Sequence, residues 1–173
     1  MTAKTLTFNE ISGLYRFLSG LSSEASKTLR QEAREIANDI ATVAASTAKS
    51  QGGLAALVAP TLSGKTDRIP TVRMGGSKKL PAEGTGWKHG RTGPNQTIGD
   101  VIWGAEFGGA RGTQSNRRTT QFRPWLGNGD TAGYFLYPTV REMSDEMQER
   151  YGEAVVRAID TTAKTKGKAK RGR

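Results

Sequence analysis

An α+β fold, a small antiparallel sheet with two long helices packed on one face and long basic loops, is predicted by three features of the sequence. Two long stretches, residues 22–49 and 138–162, carry apolar residues at helical spacing. Two shorter stretches, residues 69–74 and 97–107, alternate apolar and polar residues as half-buried strands do. The segments between them are rich in Gly, Lys and Arg and poor in anything that could fill a core.

The first helical stretch is the clearer of the two. Leu29, Ala33, Ile36, Ile40, Val43 and Thr47 are spaced four, three, four, three and four, and Ala37, Ala41 and Ala44 widen the stripe. That is one apolar face on an otherwise charged rod. Ser22 or Ser23 offers an N-cap hydroxyl, and Glu24 sits in the first turn where the helix dipole favours an acid. Gln51-Gly52-Gly53 supplies the C-cap. The face packs on a sheet, or its small-residue half, residues 41–48, meets a neighbouring subunit. Upstream, Phe8, Ile11, Leu14, Phe17, Leu18 and Leu21 recur at three and four, which predicts an extended segment leading into a short helix.

The second stretch begins at Pro138, whose fixed φ suits the first turn of a helix. Val140, Met143, Met147, Tyr151, Ala154, Ala158 and Ile159 share one face, and Thr139 to Glu142 forms a capping box. Gly152 weakens the middle of this helix, which suggests a close crossing there.

The strand 69–74 ends at Gly75-Gly76 and is predicted to pair with 97–107 as a long hairpin. Trp103 and Phe107 lie four apart and so fall on one sheet face, with Glu106 on the other. Glu106 is then an exposed acid, either solvated or facing an arginine of the loop 111–123 in the same or the next subunit. Residues 77–95, with Trp87, His89 and Arg91, form a long surface loop. Residues 54–62 fit either a short helix stopped by Pro60 or a strand.

Composition bounds the function. At 173 residues, with 35% hydrophobic residues, the chain fits one domain, residues 1–162, followed by a disordered basic tail, residues 163–173. Net charge is +10, but six of the cations lie beyond residue 160 with no acid among them, which leaves +4 for the rest. Cysteine is absent, which removes disulfides, thiolate nucleophiles and zinc–thiolate sites. No apolar run approaches the roughly 18 residues of a membrane span. The first residues lack the apolar core of a signal peptide, so a cytoplasmic site of synthesis and use is expected.

Ala59 to Thr66 looks like a phosphate-binding loop that has lost its first glycine and gained Pro60. Such a loop needs glycines so that successive N–H groups can wrap the phosphates, so no nucleotide site is expected. His89 stands without partner ligands. No nucleophile sits beside a base and no carboxylates pair at a motif spacing, so no catalytic residue, metal or cofactor is assigned.

Residues 101–143 carry a resemblance. A segment ending in Glu106-Phe107-Gly108, then a variable loop, then Phe135-Leu136-Tyr137-Pro138 opening the last helix, resembles the head–tail joining proteins (neck, tail-completion or tail-terminator-like) of long-tailed bacteriophages. It extends loosely from Phe8 to Ile159, with residues 122–129 as an added segment. The resemblance implies a structural virion protein that is not an enzyme, a homo-oligomeric ring, plausibly a hexamer, completing the tail and joining it to the DNA-filled head. Its expected partners are copies of itself, the head-completion or connector proteins, the tail-tube proteins and DNA in the lumen. Its expected place is the virion neck, after assembly in the host bacterial cytoplasm. On this reading Glu106, Arg111, Arg117, Arg118, Arg123, Trp87 and Arg91 are the interface candidates, while Trp103, Phe107 and Phe135 belong to the fold. The competing reading is a small basic nucleic-acid-binding protein, which rests on charge.

Overall fold

The computed structural model describes residue 16 and residues 18–80, 96–109 and 122–171. Two long helices dominate: α1 (Ser23–Gln51) and, at the other end of the chain, α5 (Ser144–Arg171). Between them come α2 (Gly53–Val58), a 3₁₀ turn at Ala59–Thr61, β1 (Ser63–Lys65), β2 (Thr71–Arg73), a second 3₁₀ turn at Ile98–Val101, α3 (Ile102–Phe107), a third 3₁₀ turn at Gly129–Thr131 and α4 (Leu136–Glu142). The fold is mostly helical with one small two-stranded antiparallel sheet, an α+β arrangement in which helix outweighs strand.

Helix α1 starts where the Ser22 hydroxyl accepts the Ala25 N–H at 3.2 Å, and it ends at Gly52, whose φ of 69° suits a residue without Cβ. Leu29, Ala33, Ile36, Ala37, Ile40, Ala41, Ala44 and Ala48 are buried along it, as the spacing predicts, whereas Val43 is exposed. The alanine half is buried inside this chain: Ala44 and Ala48 pack with Val58, Leu80, Ile98, Val101 and Phe135. That corrects the alternative in which this half meets a neighbouring subunit.

Helices α1 and α5 pack against each other in antiparallel fashion. Ala154 and Ala158 close on Ala25, Leu29 and Leu18. Along one edge Arg150 pairs with Asp39 at 2.8 Å and Arg157 with Glu32 at 3.2 Å, a step of seven residues on each helix. At the far end the Ser22 N–H donates to the Thr162 hydroxyl at 3.2 Å. The helix predicted over 138–162 is two helices that meet at Met143. Its capping box does not form: Thr139 is already inside α4, and its hydroxyl donates back to the Phe135 carbonyl at 2.7 Å. No close crossing occurs at Gly152, where a Cβ would meet nothing within 4 Å. The backbone of α5 continues to Arg171, where a disordered tail beginning at 163 was expected.

The sheet differs from the predicted one. β2 pairs with β1 in the register Ser63↔Arg73, Gly64↔Val72 and Lys65↔Thr71. This hairpin lies across α1, and the Gly64 N–H donates to the Asn38 Oδ1 at 2.9 Å. A Cβ at Gly64 would sit 2.8 Å from the Asn38 nitrogen and 2.9 Å from the Arg34 carbonyl oxygen, so only glycine fits. The degenerate phosphate loop is therefore a 3₁₀ turn followed by a strand lying against a helix. The expected pairing of 69–74 with 97–107 does not form; among the described residues 97–107 meets the stretch after β2 in an antiparallel bridge, Lys79↔Thr97.

Candidate functional site

The region expected to be a strand, residues 97–107, is Thr97 as an N-cap, a 3₁₀ turn at Ile98–Val101 and then α3. Thr97 starts it: the Thr97 N–H and hydroxyl both donate to the Asp100 carboxylate at 2.8 Å, and the two residues form a capping box. Those bonds, the backbone one first, hold the Asp100 carboxyl below its usual range. A spacing of four puts Trp103 and Phe107 on one face of a strand and on one face of a helix alike. The Thr-x-x-Asp pattern was the sequence signal that separates the two.

On a helix, Glu106 turns inward. It is fully buried, which corrects the exposed acid expected from a strand. Its Oε2 accepts the N–H groups of Leu136 at 3.0 Å and of Phe135 at 3.4 Å, and its Oε1 accepts that of Tyr137 at 2.9 Å. These are the donors that the first turn of α4 leaves without intrahelical partners. One carboxylate brought in from 30 residues upstream therefore does the work of an N-cap. The Glu106 carbonyl also accepts the Tyr134 N–H at 2.8 Å, so backbone and side chain hold the same strand of chain. Burial pushes the Glu106 carboxyl above its usual range, while the three N–H groups and the field of Arg141 pull against that shift.

Two glycines make room for this junction. Gly108 has φ 77°, and a Cβ there would lie 2.2 Å from the Pro124 carbonyl oxygen; Gly133 has φ 86°, with Glu106 Oε1 only 2.3 Å from a built Cβ. Backbone bonds complete the lock, from Leu126 N–H to the Phe107 carbonyl at 2.7 Å and from Gly109 N–H to the Arg123 carbonyl at 2.9 Å.

Arg123 belongs to this lock and not to a projecting loop. It donates to the Gln51 side-chain oxygen and to the Gln51 carbonyl, each at 2.6 Å, at the C-terminus of α1, and its guanidinium lies 5.1 Å from the centroid of the Tyr134 ring. A cation at a helix C-terminus offsets the negative end of the dipole. Arg123, an interface candidate from the sequence, therefore holds the fold together at this point. Trp87, Arg91, Arg111, Arg117 and Arg118 lie outside the described residues.

Outside the junction is an aromatic surface that the sequence did not single out. Phe107, buried at its centre, stacks on Trp103 at 5.7 Å, meets Tyr137 edge-on at 5.0 Å and Trp125 at 6.2 Å. Trp103, Trp125 and Tyr137 remain 65%, 51% and 47% exposed. Trp103 was expected in the core and instead stands on the surface, because α3 buries Ala105, Glu106 and Phe107. Phe107 and Phe135 are buried as expected. Among the described residues no three His, Cys, Asp or Glu side chains are grouped so as to hold a metal ion, and no helix is long and apolar enough to cross a membrane. Comparison of the chain with family models, with curated proteins and with solved structures gives no match.

Proposed function

We propose that the protein is a structural subunit of the head–tail junction of a long-tailed bacteriophage, one copy of a ring that completes the tail and joins it to the head. The observation that carries this reading is the junction itself. Glu106-Phe107-Gly108 and Phe135-Leu136-Tyr137-Pro138, the two short segments that bear the resemblance, are fastened together by the Glu106 carboxylate on three backbone N–H groups. Around that fastening, three large aromatic rings are left half exposed. Exposed aromatic clusters of this kind are enriched where proteins meet. A ring needs a heterologous contact, one face of each subunit on a different face of the next. An aromatic surface built on a locked junction is a rigid half of such a contact. Its expected partners remain copies of itself, the connector below the head, the tail tube and DNA in the lumen, with the virion neck as its place.

The nucleic-acid-binding alternative draws on net charge. Two cations of α5, Arg150 and Arg157, face acids of α1 and of their own helix, so that part of the charge is already neutralised.

The test is genetic. In the phage that encodes the chain, disruption of its gene should give filled heads and separate tails that fail to join, rescued by the intact protein. A variant with Arg117 and Arg118 changed to serine should be soluble and folded and should reproduce the joining defect. Normal virion yield after disruption overturns the proposal. Normal yield from the double variant alone removes those two arginines from the interface and leaves the aromatic surface to carry it.

A further inference from the structure

An apolar groove of about 500 Å³ runs between α4, α5 and the β-hairpin. Ile40 of α1 forms part of its floor, Ile69, Pro70 and Val72 one wall, and Tyr137, Val140, Met147 and Tyr151 the others. Apolar area left open at this scale signals an occupant, because single exposed hydrophobic residues are ordinary and a continuous lined groove is not.

We infer that the occupant is the N-terminal segment of the same chain, residues 1–15. The groove and the start of the described chain share their residues. Leu18 is buried against Leu29, Ala154 and Ala158, in a cluster flanked by Ile69 and Tyr151, and those two residues also line the groove. The described chain therefore begins beside residues that also line the groove. Fifteen residues reach about 22 Å as helix and about 50 Å extended. Their apolar residues, Phe8, Ile11 and Leu14, recur every three positions, the pattern of a segment that presents one apolar stripe. The groove offers that stripe aliphatic and aromatic walls, with Gln148 and the hydroxyls of Tyr137 and Tyr151 its polar side-chain groups. The segment supplies what the hairpin lacks on this side, since two three-residue strands cannot bury Ile69 and Val72 by themselves. This inference does not require the ring reading, although Tyr137 belongs both to the groove and to the aromatic surface.

The chain has no cysteine, so a pair can be introduced cleanly. In the full-length protein, I11C with M147C should be joined within one chain by a short bismaleimide, read by intact mass at dilute concentration. I11C with V156C, on the outward side of α5, should react about tenfold more slowly, as expected when only the first pair is held at high effective concentration. Equal rates for the two pairs, or no intrachain product, overturn the inference. Crosslinked dimers in place of monomers also overturn it and give the groove to a second copy. As a second measurement, deletion of residues 1–14 should lower the unfolding temperature and raise binding of an apolar dye, and V140E in the intact chain should do the same. A deletion that changes neither quantity overturns the inference independently of the crosslinks.

Discussion

The α1–α5 pair and the Glu106 junction are both buried, and they are held together by opposite means. The helix pair is a repeated solution. Small and aliphatic side chains recur along two faces, and the ion pairs Arg150–Asp39 and Arg157–Glu32 lie at its edge, where water competes with them. The junction is a single solution, in which one carboxylate, two glycines of positive φ and one arginine each hold a place that no neighbour duplicates. Loss of one contact should therefore be averaged over many in the pair and felt in full at the junction.

The largest effect should come from Glu106. In Glu106→Ala three backbone N–H groups at the start of α4 lose their acceptor in a place closed to water. Each unsatisfied donor costs about 1–3 kcal/mol before relaxation, so a net loss of about 3 kcal/mol in urea unfolding is expected. A loss below about 1 kcal/mol would mean that the junction is as redundant as the helix pair. Glu106→Gln sharpens the point through pH. Because burial raises the folded-state value, the protonated form is favoured in the native protein. The stability due to this proton is fully present below the ordinary glutamate range and is lost as pH rises through the raised value. Glutamine does not titrate. The advantage of the natural protein over Glu106→Gln should therefore be greatest in acid and shrink as pH rises from about 4.3 upward. An advantage that grows with pH would show that the N–H groups and Arg141 outweigh burial.

The same contrast explains what could be read from the sequence. The α1 face was legible because burial there repeats at a period the side chains reveal, and one misplaced residue, Val43, does not disturb the pattern. The cap at Ser22 was legible for the same local reason. At the junction the determining contacts join residues about 30 positions apart, so no window of the sequence contains both partners. The spacing of Trp103 and Phe107 fits strand and helix equally, and a strand sends Glu106 outward where a helix sends it in. That single ambiguity misplaced Glu106, Trp103 and the hairpin partner of residues 71–73 together. The part Arg123 plays in the fold was not legible, because a polar loop gives no sign that one of its arginines caps a distant helix. The Thr97-x-x-Asp100 cap was the one local feature that favoured a helix.

Gly152 tests the helix pair from the other direction. It is exposed on α5, and an added Cβ would meet nothing within 4 Å. Gly152→Ala should stabilise the protein by about 0.5–1 kcal/mol, the ordinary difference in helix propensity. A loss of stability would restore the close crossing that the glycine first suggested, and would make this stretch of the pair as unforgiving as the junction.

The smallest effect should come from the ion pair at the edge of the helices. Arg150 lies 2.8 Å from Asp39 and also reaches Glu146 at 3.5 Å, and its guanidinium is held above its usual range chiefly by the hydrogen bond to Asp39. The Asp39 side chain is nonetheless half exposed, and the Arg150 side chain about a third exposed. Water screens both charges, and two long side chains lose freedom to meet. A double-mutant cycle of Asp39→Asn and Arg150→Gln should give a coupling of about 0.5 kcal/mol, falling further in 1 M salt. The two helices should stay packed in every corner of the cycle, because Leu29, Ala154 and Ala158 remain in place. A coupling above about 2 kcal/mol, insensitive to salt, would be far outside what exposed pairs contribute. It would mean that the pair, like the junction, hangs on one polar contact, and the division between a redundant core and a singular lock would fail.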